Sequence, residues 1–276
     1  MPLVFAAATV HGPGITARRD AATPQQRDIF FAASDILRKR MEAAQLDALV
    51  VVSSEHYTNF FLNNAPPYCI GLADAYDGPS EDERFLRIPR TSVPGAADLS
   101  QHIAQSISGD VDIAHSRELL FDHGIMVPLH LLTPAMKLPV VPIIINCQMP
   151  PLPPLARCHV LGRALRRALD ARPERVGVLA AGGLSHWPAV PESGKLNVEF
   201  DRAFVEDFLA NDTARMTRYS DAELVAAAGP GAHEIRSWIV AAAVAGGHGG
   251  ELLCFEPIPA YAVTGCLATL NIRAAG

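Results

Sequence analysis

The sequence predicts an α/β fold, in which a single domain has a central, mostly parallel sheet flanked by helices. Short apolar segments rich in β-branched residues alternate along the chain with longer segments whose apolar residues recur every three or four positions. These are the patterns of buried strands and of amphipathic helices. The 276 residues are 49% hydrophobic and 19% charged, which is enough apolar sequence for one large core. Because neither a repeat nor a linker interrupts the alternation, we expect one domain over residues 1–276.

Four segments have the composition of buried strands. Each is a short run of aliphatic and small residues, and strands that alternate with helices form a sheet that is covered on both faces. The predicted strands are "LVFAAATV" at 3–10, "ALVVVSS" at 48–54, "LPVVPIIIN" at 138–146 and "RVGVLAAGG" at 175–183.

The helical segments lie between and after these strands. Their apolar residues return at three- and four-residue spacing, so one face of each helix can pack on the sheet. The predicted helices cover 25–45, 98–107, 155–171 and 232–245. The segment 63–97 is rich in proline, glycine and charge, and we expect it to form an elaborate loop.

Charge and hydropathy exclude several classes of partner. Twenty-three Lys and Arg against 29 Asp and Glu give a net charge of −6, which argues against nucleic-acid binding. The sequence has no apolar run of the roughly 18 residues that a membrane span needs. The first residues lack the basic region of a signal peptide, so we expect a cytoplasmic protein. The five cysteines are odd in number and lack a Cys-x-x-Cys spacing, which argues against a disulfide framework and a structural zinc site.

Histidines follow three of the predicted strands. His11 follows the first, His56 the second and His186 the fourth. A further histidine, His123, opens an apolar helical segment and is preceded by Asp122, a residue type that commonly caps helices. In open α/β sheets, ligands bind outside the carboxyl ends of the strands. The positions therefore predict one site that gathers the four histidines.

Histidines gathered in this way suggest a metal centre. Imidazole binds zinc, copper, iron and nickel, and two histidines with one carboxylate leave positions open on iron(II). Glu234, in the first turn of the helical segment "HEIRSWIVAAAVA", is a candidate acid. A glutamate there is also favoured by the helix dipole alone.

Six sequence blocks resemble, in order, the class III extradiol ring-cleavage dioxygenases, and most of all the 2,3-dihydroxyphenylpropionate 1,2-dioxygenases. The protocatechuate 4,5-dioxygenase catalytic subunits are more distant relatives. The similarity runs from His11 to about Leu270. The blocks are "HYTNFFLNNAPPYCIGL", "DHGIMVPLHLL", "PIIINCQMPPLPPLARCHVLGRAL", "AAGGLSHWPAVPE", "HEIRSWIVAAAVA" and "YAVTGCLATL".

This resemblance implies a mononuclear non-haem Fe(II) site that cleaves a catechol-type ring with O2. It makes His11, His56 and Glu234 the metal ligands. It places His123 and His186 as the acid and base beside the bound catechol, two roles that suit imidazole, and leaves open which histidine has which role. The substrate could equally be an aminohydroxy aromatic.

Asp122 is predicted to orient or tune the imidazole of its neighbour His123, as a carboxylate partner commonly does.

Side chains near the predicted ligands are candidates for substrate contacts. Tyr57, Phe60, Trp187 and Pro188 could pack against an aromatic ring, although aromatic residues beside a ligand also serve as core. Three arginines of the charged loop could bind a substrate carboxylate: Arg84, Arg87 and Arg90.

Two other classes of function compete with this interpretation. Ser185 lies in a glycine-rich turn, but a nucleophile elbow requires glycine at position 187, which is Trp187. A zinc hydrolase stays open because two histidines and a glutamate also bind zinc, as does a non-enzymatic binding protein on the same fold. For partners, we expect a homo-oligomer, and the resemblance also allows a small accessory subunit.

Overall fold

In the computed structural model, which describes residues 2–274, the chain folds around an eight-stranded sheet with the strand order β6-β3-β7-β2-β8-β1-β10-β9. The central strands β7, β2, β8 and β1 run parallel to one another. A separate two-stranded ribbon is formed by β4 and β5. The strands are β1 (Leu3–Thr9), β2 (Ala48–Ser54), β3 (Tyr68–Gly71), β4 (Ala75–Gly78), β5 (Thr91–Pro94), β6 (Ala114–Ser116), β7 (Val140–Ile145), β8 (Val176–Ala181), β9 (Gly246–Ile258) and β10 (Val263–Ile272).

Helices cover both faces of this sheet. They are α1 (Gly14–Ala17), α2 (Pro24–Ala43), α3 (Glu83–Leu86), α4 (Ala97–Ile107), α5 (His123–Leu132), α6 (Leu155–Asp170), α7 (Val198–Leu209), α8 (Thr213–Met216), α9 (Asp221–Ala228) and α10 (Ile235–Ala245). Every residue of α10 is buried, including the polar Arg236 and Ser237, so this helix lies within the core of the domain. Short 3-10 segments include Pro230–Glu234, which leads directly into α10.

The predicted fold class is confirmed, and each of the four predicted strands is present. The segment 63–97 departs from the prediction, because it contributes β3 to the main sheet and also forms the β4–β5 ribbon and α3. The C-terminal strands β9 and β10, which pair antiparallel with one another beyond β1, were not predicted. The extent of the domain over 1–276 stays a prediction.

The parallel strands end at one edge of the sheet, which places the residues that follow them close together. β1, β2 and β8 are adjacent in parallel register. His11, His56 and His186 therefore reach the same edge.

Within residues 2–274, no helix is both long enough and apolar enough to cross a membrane.

Candidate active site

A cavity of about 390 Å³ opens at the carboxyl edge of the parallel strands. Its lining includes all four of the predicted histidines together with Glu234. A volume of this size is within the range of small-molecule sites, which is roughly 300–1,000 Å³. The sequence-predicted cluster is therefore one site in space.

Glu234 lies at the centre of the cluster. Its carboxylate is 3.0 Å from Nε2 of His11 through one oxygen and 3.1 Å from Nε2 of His56 through the other. It is 1% exposed and also accepts a hydrogen bond from the backbone N–H of Gly183. Burial raises the pKa of Glu234, but the nearby His11 and His186 outweigh this and hold the pKa well below its usual value. The group is thus a buried carboxylate between two imidazoles.

Asp122 is hydrogen-bonded to His56 and not to its sequence neighbour His123, so the prediction that it orients the His123 ring is wrong. One carboxylate oxygen lies 3.0 Å from Nδ1 of His56, and the other accepts the backbone N–H of Gly124 at 2.8 Å. The helix cap of α5 is thereby present as predicted. Burial alone would raise the pKa of Asp122, but the charge of His56 lowers it to about 2. Adjacent residues at a helix start point in different directions, so Asp122 reaches one imidazole while His123 turns to another carboxylate.

That other carboxylate is Glu81, which the sequence did not single out. Its Oε1 lies 2.6 Å from Nδ1 of His123 and accepts the backbone N–H of the same residue at 2.9 Å. Burial lowers the pKa of His123, the neighbouring His56 adds to this effect, and Glu81 offsets only part of it.

The imidazoles of His11, His56 and His123 are close enough to share an ion. One ligand nitrogen from each lies within 4.8 Å of the others. The ring centroids of His56 and His123 are 4.1 Å apart. With the carboxylate of Glu234 against His11 and His56, the site offers nitrogen and oxygen donors of the types that suit iron(II) or zinc.

Two glycines make room for His186. A Cβ on Gly231 would lie 2.2 Å from Cε1 and Nε2 of the ring, and a Cβ on Gly183 would lie 2.4 Å from Cε1. The Nδ1 atom is 3.0 Å from the carbonyl of Leu184, and Nε2 is 3.8 Å from Glu234. Since a carbonyl only accepts, Nδ1 carries a proton, which in the neutral ring leaves Nε2 with its lone pair.

Ser185 is fully buried and tied into the scaffold. Its hydroxyl donates to Asp201 at 2.8 Å and accepts the backbone N–H of Asn197 at 2.7 Å. It is 0% exposed, which is unsuitable for a nucleophile that must meet a substrate.

The predicted substrate contacts fall into two groups. Tyr57 and Pro188 line the cavity, whereas Phe60 and Trp187 are outside the lining. The Phe60 ring packs against the core. The Trp187 ring lies under Nζ of Lys195 at 4.6 Å. A contact between substrate and Tyr57 or Pro188 stays a prediction.

The predicted arginines are also outside the lining. Arg84 pairs with Asp82, and Arg87 pairs with Asp20, which lies just beyond α1. Arg90 is outside the lining as well. The arginine that lines it is Arg18, which directly follows α1. No sequence pattern distinguished Arg18 from its neighbour Arg19.

Comparison with known proteins places this chain in a family. The family described as "Catalytic LigB subunit of aromatic ring-opening dioxygenase" matches residues 5–264. Similar curated proteins include two named 2,3-dihydroxyphenylpropionate/2,3-dihydroxicinnamic acid 1,2-dioxygenase. That of Paraburkholderia xenovorans is 30% identical over 81% of this chain and 84% of its own. The Pseudomonas putida protein, whose printed name ends in the number 2, is 28% identical over 80% of this chain and 84% of its own. The crystal structure of an uncharacterized Escherichia coli K12 protein has the same fold, with a TM-score of 0.60 at 16% identity over 85% of this chain and 92% of that one.

Proposed function

The chain belongs to the family of the catalytic LigB subunit of aromatic ring-opening dioxygenase, and on this premise we propose that it is a non-haem Fe(II) enzyme that cleaves catechol-type rings by the extradiol route. The observation that carries the proposal is the contact of one buried carboxylate, Glu234, with Nε2 of both His11 and His56. Two histidines and one carboxylate that leave positions open are the donor set of non-haem iron(II) oxygenases.

His11, His56 and Glu234 would hold the metal. Asp122 would keep the proton of His56 on Nδ1, so that the lone pair of Nε2 faces the ion. Iron(II), when bound, would supply a redox-active centre through which electrons pass from the aromatic ring to O2.

His186 would act as the base. Its Nδ1 proton is held by the carbonyl of Leu184, and its Nε2 lone pair is available to take a catechol proton. His123 would act as the acid. Its Nδ1–H is held by Glu81, so the proton that it returns during ring opening would be the one on Nε2 of the protonated ring, and the neutral Nδ1–H ring would be left. Imidazole suits both tasks because its ordinary pKa is close to neutral pH.

The substrate is proposed to be a catechol with an acidic side chain, as in the names of the relatives. Apart from the histidines and Glu234, Arg18 is the one charged residue of the described cavity lining. A guanidinium at this position could pair with a substrate carboxylate. Aminohydroxy aromatics would present one hydroxyl and one amino group in place of the two hydroxyls of a catechol. Assembly into a homo-oligomer stays a prediction.

The ligand and proton-transfer roles can be separated by substitution. His11→Ala and His56→Ala should abolish iron binding, whereas His123→Phe and His186→Phe should keep iron and lose ring cleavage. His115→Ala, at an exposed position on β6, is the matched control and should change neither property. Iron content is measured by elemental analysis after anaerobic reconstitution, and turnover by the absorbance of the ring-opened product. Normal turnover by both Phe variants would refute the acid and base roles, and binding of zinc with rejection of iron(II) would refute the proposed chemistry.

A further inference from the structure

The loop after β4 contributes a carboxylate to the active site. Glu81 accepts two hydrogen bonds from one residue, the ring Nδ1–H and the backbone N–H of His123. The side chain of Glu81 is 23% exposed and that of His123 16%. The β4–β5 ribbon is separate from the main sheet, so this contact connects the ribbon loop to the first residue of α5.

The loop holds Glu81 in place. Ser80 donates its backbone N–H to the carbonyl of Phe121 at 2.8 Å, and its hydroxyl donates to the second oxygen of Glu81 at 3.3 Å. The hydroxyl of Thr58 lies 3.3 Å from that of Ser80. Glu81 also lies at the N-terminus of α5, where the helix dipole favours a negative charge.

No other carboxylate in residues 2–274 is hydrogen-bonded to the His123 ring. Both oxygens of Asp122 are already used, one by His56 and one by the backbone of Gly124. Glu81 is therefore the group that decides how this ring is oriented.

A carboxylate can only accept hydrogen bonds, so its contact with Nδ1 places a proton there. In the neutral ring, Nε2 is then the nitrogen without a proton, and it is the one left for the cavity that His123 lines. In water, by contrast, the neutral histidine ring prefers the Nε2–H tautomer. Glu81 thus selects the less common tautomer and holds the ring beside His56.

We propose that Glu81 is a positioning residue, which fixes the orientation and tautomer of His123 so that Nε2 faces the reacting substrate. The proposal rests on the proposed function for its effect on turnover. Its effect on the ring itself is independent of any reaction.

The test compares Glu81→Ala with Glu81→Gln in the full-length protein. Alanine removes the acceptor, whereas the amide oxygen of glutamine can still accept both N–H groups. Glu83→Ala is the matched control, because Glu83 lies two residues from Glu81 at the start of α3, is exposed and has no side-chain hydrogen bond among those of the described residues.

In iron-loaded enzyme, Glu81→Ala should lower kcat by roughly 10²-fold, since a positioned acid or base contributes about 10²–10⁴-fold. Catechol affinity, measured without oxygen, should change less than twofold. Glu81→Gln should recover most of the lost kcat, and Glu83→Ala should match the wild type. A Glu81→Ala enzyme with wild-type kcat would overturn the proposal.

The second measurement needs neither iron nor turnover. Nitrogen NMR of the metal-free chain labelled at histidine, in alkaline buffer and with His123→Phe used for assignment, should show His123 as the Nδ1–H tautomer in the wild type and in Glu81→Gln. It should show mainly Nε2–H in Glu81→Ala. An unchanged tautomer in Glu81→Ala would overturn the proposal whether or not the protein cleaves catechols. Failure of the wild type to cleave any catechol would instead refute the proposed function and leave this result standing.

Discussion

Replacement of Gly231 by alanine should displace His186 without removing it. The new Cβ would lie 2.2 Å from two ring atoms, whereas ordinary contact begins at 3.4 Å. The ring must therefore move by about 1.2 Å, and Gly183, which also packs against it, restricts where it can go. A misplacement of about 1 Å in a catalytic group can cost roughly 10²-fold in rate. We expect kcat to fall by about that factor while all proposed metal ligands remain in place.

The assay compares kcat, iron content and thermal stability of Gly231→Ala with those of the wild type. Overpacking of a buried site costs about 1–3 kcal/mol, so the melting temperature should fall by several degrees while the protein stays folded. Gly109→Ala is the control, because a Cβ at Gly109 has no atom within 4 Å. A Gly231→Ala enzyme that retains iron and turns over within a factor of three or so of the wild type would refute the argument that the position of His186 matters.

Three further predictions concern the support of the site. Asp122→Asn should weaken metal binding by roughly 10–100-fold, as loss of a ligand's carboxylate partner does, while asparagine still caps α5; an unchanged affinity in a metal titration would contradict the role given to the His56 contact. Trp238→Phe should lower the free energy of unfolding by about 1–3 kcal/mol, because the indole N–H donates at 2.9 Å to the buried carbonyl of Gly182, and an unchanged urea midpoint would count against it. Acid should destabilise the metal-free chain, because folding lowers the pKa values of Asp122 and Glu234. The stability that these two carboxylates contribute is present above their unfolded pKa of about 4. It is lost as the pH falls towards the folded pKa, which is about 2 for Asp122. Across this pH window the melting temperature should fall less in Asp122→Asn than in the wild type. An equal fall in the two proteins would contradict the role given to Asp122.

The parallel core of the fold could be predicted because its strands are short, apolar and separated by helical patterns. The edge elements could not. Strand β9 begins with "GGHGG", and glycine is depleted in strands. Its position is set by long-range pairing with β10. Strand β3 is only four residues long and lies in a segment whose prolines and charges indicate a loop.

In the candidate site, too, some residues could be predicted from the sequence and others could not. His11, His56 and His186 could be predicted as neighbours because parallel strands end at one edge. The partner of His123 could not be predicted, since Glu81 is 42 residues away in sequence. It also lies in the run "SEDER", where three adjacent acids look alike. Only the path of the β4–β5 ribbon determines which of these carboxylates faces inward.

The most direct test of the account is oxygen-dependent cleavage by the reconstituted enzyme. The chain is loaded with Fe(II) without oxygen and mixed with a panel of catechols, with and without a carboxylate side chain. Air is then admitted while oxygen uptake and the yellow absorbance of a ring-opened product are followed. The account predicts colour and matching oxygen uptake with a carboxylated catechol, and neither without iron. Tight binding of iron with no product from any member of the panel would contradict it.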